Sequence, residues 1–155
     1  MAIKTYEEMN ELGLDILKEI GTIGGGNAAT ALSSMLSTQV QMAVPSVKIL
    51  DYNAALAILG DPEELVAAIF VEMAGEVSGI MLFVLTKEVS DEILFRMLGK
   101  TESDLLAMEE IDSSVLIEIG NIVISSYITA MSSLTGVNVE LSVPQLAINM
   151  LGGIM

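Results

Sequence analysis

Apolar residues at Leu12, Ile16, Ile20 and Ile23 recur three or four positions apart, which predicts a helix from about Tyr6 to Leu36. The Gly24-Gly25-Gly26 run inside it weakens the helix locally and leaves room for another backbone to come close. The period then changes to two. Val40, Met42 and Val44 alternate with polar or small neighbours, predicting a strand over 39–50 in which Pro45 requires a bulge or an edge position. Ala54 to Leu59 reads as a short helix closed by Gly60-Asp61-Pro62. Two apolar runs, 64–73 and 77–85, flank Ala74-Gly75-Glu76 and predict a hairpin. Lys87 to Leu98 has a helical pattern, with Gly99 placed as its C-terminal cap. Residues 100–108 lead to a second long helix over 109–135, stopped by Gly136. A last strand over 137–143, open to extension beyond, contains Pro144.

Two of these stretches are one stretch repeated. Leu14–Val47 and Ser113–Leu146 align without a gap, 99 positions apart, and agree at 12 of 34 positions, among them Glu19 with Glu118 and Pro45 with Pro144. A repeat of this kind sets the architecture. The expected fold is α+β: two long helices related by a pseudo-twofold axis, packed on one side of a mostly antiparallel sheet. The chain reads as a single domain of two related halves, about 6–99 and 109–155. The second half stops before a hairpin and helix like those of the first half could form.

Composition narrows the chemistry. The chain has 155 residues, 52% of them hydrophobic, but its most apolar window, Val115–Leu134, contains Glu118, Asn121 and several serines, which argues against a membrane span. No cationic segment opens the chain as in a secretory signal. Without Cys or His, disulfides, the usual zinc ligands and His-based nucleophile systems are excluded. Six Lys/Arg face 21 Asp/Glu, and none of the six lies beyond Lys100. Nucleic-acid phosphates and anionic membranes are poor partners for such a surface. A partner presenting a lysine or a bound metal ion suits it.

The repeat also marks where chemistry could sit. Asp15, Glu19 and Thr22 fall at i, i+4 and i+7 on the first long helix, and Ser114, Glu118 and Asn121 do so on the second. At about 100° per residue each trio makes one narrow stripe. A polar stripe is most often a solvated face. Here, however, Glu118 is the only charged residue between Ser113 and Val139, and the stripe recurs in the other half with a proline 23 positions beyond its last member. A carboxamide can donate to one group and accept from another, so Asn121 can hold a water, while Glu118 can pair with a lysine. Amides that orient an attacking water are a known device in phosphoryl transfer. With so few cations of its own, the chain would need a substrate that brings metal and cation with it: a phosphorylated protein.

The pattern Asp/Ser-x3-Glu-x2-Asn-x22-Pro, together with EIGN at Glu118–Asn121 and GGGNAATALS at Gly24–Ser33, resembles the CheC-type phosphatases of chemotaxis, a family related to CheX and FliY. The resemblance spans nearly the whole chain. It implies a cytoplasmic protein that dephosphorylates the response regulator CheY, with Asn121 orienting the water that attacks the aspartyl phosphate and Glu118 pairing with a regulator lysine. Ser114 and Pro144 complete the motif. No cofactor of its own is implied, since Mg²⁺ would belong to CheY. The receptor deamidase CheD is a second implied partner, so an alternative is a non-catalytic module binding CheD or a phosphorylated regulator. In the first copy Asp15, Glu19 and Pro45 keep the pattern, but Thr22 replaces the asparagine. A hydroxyl cannot present both faces of an amide, so this first site is expected to be degenerate, with Glu19 left for docking. Members of the family usually continue with a further hairpin and helix; the open sheet edge left without them favours a homodimer or strand exchange.

Overall fold

An 11-residue strand, β1 (Leu65–Gly75), organises the sheet. Along one edge it pairs antiparallel with β2 (Gly79–Leu85), from Ala67 opposite Leu85 to Met73 opposite Gly79. Its other edge is shared by two strands laid end to end. β3 (Val139–Leu141) pairs with Met73–Gly75, and β4 (Gln145–Met150) pairs with Leu65–Phe70. A computed structural model provides these coordinates and describes residues 10–43 and 46–155. Around the sheet stand α1 (Glu11–Leu36), α2 (Tyr52–Leu59), α3 (Lys87–Leu98), α4 (Glu110–Thr135) and the short α5 (Leu151–Ile154), with a 3-10 turn at Leu105–Ala107.

The junction of β3 and β4 is a bulge. Ser142 N–H donates to the Glu72 carbonyl at 2.9 Å, and Glu72 N–H donates back to Ser142 Oγ, also at 2.9 Å. With Leu141 opposite Met73 and Gln145 opposite Phe70, Val71 faces two residues, Val143 and Pro144. Proline has no N–H for a ladder, and a bulge is where a strand tolerates one.

The core lies on one face of the sheet. Ala67, Ile69 and Val71 of β1 share one buried cluster with Leu116, Ile119 and Val123 of α4, Ile93 and Leu94 of α3, and Ala28 and Leu32 of α1. Each of the valine, leucine and isoleucine side chains contributes about 1.5–3 kcal/mol by leaving water. α4 is long and apolar enough to cross a membrane by length and composition. Its position between α1 and the sheet accounts for that apolarity. α1 packs chiefly on α4. Gly24 permits this, because a Cβ there would stand 2.8 Å from Tyr127 Cα. Near its C-terminus Leu32 and Leu36 line an apolar groove of about 370 Å³ with Phe83, Leu85 and Ile93. On the sheet's opposite face Phe70, Ile80, Leu82 and Ala147 form a cavity of about 530 Å³ with Gly153 and Ile154 of α5.

The repeat is structural as well as textual. α1 and α4 have the same length, and their ends are offset by the same 99 positions. Both end in a left-handed residue, Ser37 (φ 51°) and Gly136 (φ 72°). α5 starts at Leu151, the position equivalent to Tyr52, where α2 starts. The α+β class, the helix over 87–98 and its Gly99 cap (φ 73°) stand as expected.

Two expectations need correction. The segment over 39–50 forms no ladder at its described positions, although exposed and half-buried residues alternate along it. Among the described residues, β1 to β4 pair with one another and not with this segment. The hairpin turns at 76–78 rather than 74–76, because β1 continues through Gly75. The last strand contains Pro144 as expected, with a bulge there and pairing resumed in β4. Tyr6–Met9, Val44 and Pro45 lie outside the described residues.

Candidate functional site

α4 is anchored at its first turn. Glu109 is the N-cap, and its N–H donates to Asp112 Oδ2 at 3.1 Å, as in a capping box. Asp112 is 3% exposed and needs a counter-charge. Lys100 supplies it: Nζ donates to Asp112 Oδ2 at 2.9 Å and to Glu109 Oε2 at 2.7 Å. Asp112 Oδ1 takes no directional hydrogen bond but lies 2.7 Å from the same ammonium. The hydrogen bonds to Asp112 and then Glu109 raise the Lys100 pKa against the opposing effect of burial. A second link, Lys87 to Asp91 with Ser103 Oγ donating to Asp91, ties α3 to the loop before α4.

From this anchor α4 projects Ser114, Glu118 and Asn121 on the side away from Leu116, Ile119 and Val123. Gly120, between the two candidate residues, sits against the sheet; a Cβ on it would stand 2.5 Å from Ile69 Cβ. That close fit fixes the rotation of the helix, and so the direction of the stripe. Glu118 is exposed, and among the described residues no hydrogen bond or ion pair engages it. Asn121 is half-buried, and its Oδ1 accepts a hydrogen bond from Ser125 Oγ at 3.4 Å. Ser114 is exposed, with its hydroxyl turned back to the Glu110 carbonyl at 2.9 Å. Pro144 is in the sheet, at the bulge, rather than on the helix.

The first stripe lies on α1, where Asp15, Glu19 and Thr22 are all exposed. Thr22 Oγ1 donates to the Lys18 carbonyl at 2.9 Å, so its one hydroxyl proton is spent on its own helix. Pro45 lies outside the described residues. Each helix thus brings its trio together, and only α4 presents an amide. Among the described residues no three acidic side chains cluster so as to hold a metal ion. The Lys100–Asp112 anchor and Ser125 were missed in the sequence. Ser125 could have been found from its i+4 spacing to Asn121.

Comparison with known proteins also finds two matching segments. The model of the CheC-like family matches residues 12–49 and 111–148, one match on each copy of the repeat. The CheY-P phosphatase CheC of Bacillus subtilis is 32% identical over 97% of this chain and 73% of its own length. The chain belongs to the CheC-like family. Among solved structures, Thermotoga maritima FliY matches with a TM-score of 0.76 at 26% identity, over 93% of this chain and 72% of that one. The CheX of a CheX-CheY-BeF3-Mg complex from Borrelia burgdorferi shares the fold, with a TM-score of 0.54 at 20% identity over 81% of this chain and 75% of that one. Within the family, then, this chain carries one stripe with the asparagine and one without it.

Proposed function

We propose that the α4 stripe hydrolyses the aspartyl phosphate of a CheY-type response regulator. The observation that carries this reading is the contrast between the two helices. Asn121 presents an amide one turn from Glu118, which no ion pair engages among the described residues, whereas Thr22 has its hydroxyl bonded to its own backbone. The name of the B. subtilis relative, a CheY-P phosphatase, supports the substrate.

In this mechanism Glu118 pairs with a lysine of the regulator and sets the approach of α4 to the phosphorylated aspartate. Asn121 holds a water in line with the phosphorus. The water oxygen bonds to phosphorus as the bond to the aspartyl oxygen breaks, giving inorganic phosphate and a free carboxylate. The chain's own contribution is position, which by itself accounts for large rate factors. Mg²⁺ comes with the regulator. Asp15 and Glu19 make the α1 stripe a docking surface, and binding of CheD or of a regulator without turnover is the second reading it supports. The deciding experiment follows the decay of phosphorylated CheY with the wild-type chain beside its Glu118→Ala and Asn121→Ala variants. Faster decay with wild type alone supports hydrolysis; equal decay in all samples would overturn it.

A further inference from the structure

We infer that Ser125 is the positioning residue for Asn121, an inference that rests on the phosphatase reading of the α4 stripe. An asparagine amide turns broadly about its last torsion, so a free one holds a water in many directions. Asn121 is not free, because Ser125, one turn on, donates to its Oδ1. The choice of acceptor is unusual in this molecule. Ser90, Ser114, Ser126, Thr135, Thr22, Thr30 and Ser33 all donate to the backbone carbonyl four positions back. Among the described helical hydroxyls bonded at that spacing, Ser125 alone bonds a side chain instead.

The first copy supplies an independent comparison. The position equivalent to Ser125 is Gly26, so the copy that lacks the amide also lacks the hydroxyl. Packing does not demand that glycine, since a Cβ on Gly26 would meet nothing within 4 Å. Asn121 and Ser125 are therefore present together in one copy and absent together in the other. Ser125 uses one of the two lone pairs on Oδ1. The other lone pair and the amide hydrogens remain to hold the water, now from a restrained amide rather than a turning one.

The test is Ser125→Ala in the full chain, read two ways. In the free protein, the side-chain amide resonances of Asn121 should shift. In decay of phosphorylated CheY, kcat should fall about 2- to 10-fold, the span set by one hydrogen bond, with KM unchanged. The same substitution in an Asn121→Ala background should cost nothing further. Unmoved Asn121 resonances, or an equal loss of kcat in that background, would overturn the inference. If the wild-type chain does not speed decay at all, the phosphatase reading fails, while the resonances still decide whether Ser125 holds Asn121.

Discussion

Gly120 of α4 faces Ile69 of β1 with no room for a side chain between them: a Cβ on the glycine would overlap the isoleucine Cβ at 2.5 Å. Helix and strand are both buried there, so neither can yield without disturbing the core. Gly120→Ala should therefore destabilise the fold by about 1–3 kcal/mol, despite the better helix propensity of alanine. A urea titration that leaves the midpoint unchanged would contradict this packing.

Asn121→Ala is expected to lower turnover of phosphorylated CheY ~10²-fold, the scale on which a mispositioned reactant loses rate. Binding should stay nearly intact, because Glu118 remains. Thr22→Ala should change turnover little, since the Thr22 hydroxyl already serves the Lys18 carbonyl. Single-turnover decay with a separate binding isotherm distinguishes the two effects.

The first stripe offers a gain-of-function experiment. In an Asn121→Ala background, Thr22→Asn with Gly26→Ser should recover more turnover than Thr22→Asn alone. Gly26 has open space for the new hydroxyl. Equal recovery by the single and double variants would show that the added hydroxyl does nothing for the amide.

The Lys100–Asp112 anchor predicts a pH dependence. The Lys100 pKa is raised in the folded state, first by its bond to Asp112 and then by its bond to Glu109. Below the unfolded lysine value both states hold the proton, and the pair stabilises the fold in full. As pH rises through that value and then the folded one, the contribution disappears. Lys87, raised by its bond to Asp91, acts in the same direction. Thermal melts should thus show Tm falling on the alkaline side of about pH 10, and Lys100→Met should be less stable at neutral pH with a flatter alkaline limb.

Much of this was legible in the chain. Local signals placed α3 within a residue, because Thr86 caps one end and Gly99 the other. The repeat placed α1 and α4 and both stripes. What it could not show was pairing between distant residues. The alternation over 39–50 reads as a strand because half of its side chains do turn inward, but a ladder also needs a partner strand, and alternation alone does not supply one. Pro144 was legible as part of the last strand; the bulge that admits a residue without an N–H rests on the exchange between Ser142 and Glu72, 70 positions apart. Ser125 was passed over because helical serines ordinarily bond to backbone, although its i+4 spacing to Asn121 was the signal available in the sequence.

α1 leans on α4 and touches the sheet layer only near its end, at the groove formed by Leu32 and Leu36 with Phe83 and Leu85. This gives the two helices different places in the hierarchy of native-state openings. α1 can detach chiefly at the cost of its interface with α4. α4 cannot, because its release strips the partner from α1 and the lid from β1 together. Amide hydrogens along α1 should exchange through such partial openings, while those in the middle of α4 should wait for the whole domain to unfold. The asparagine is on the helix that opens last.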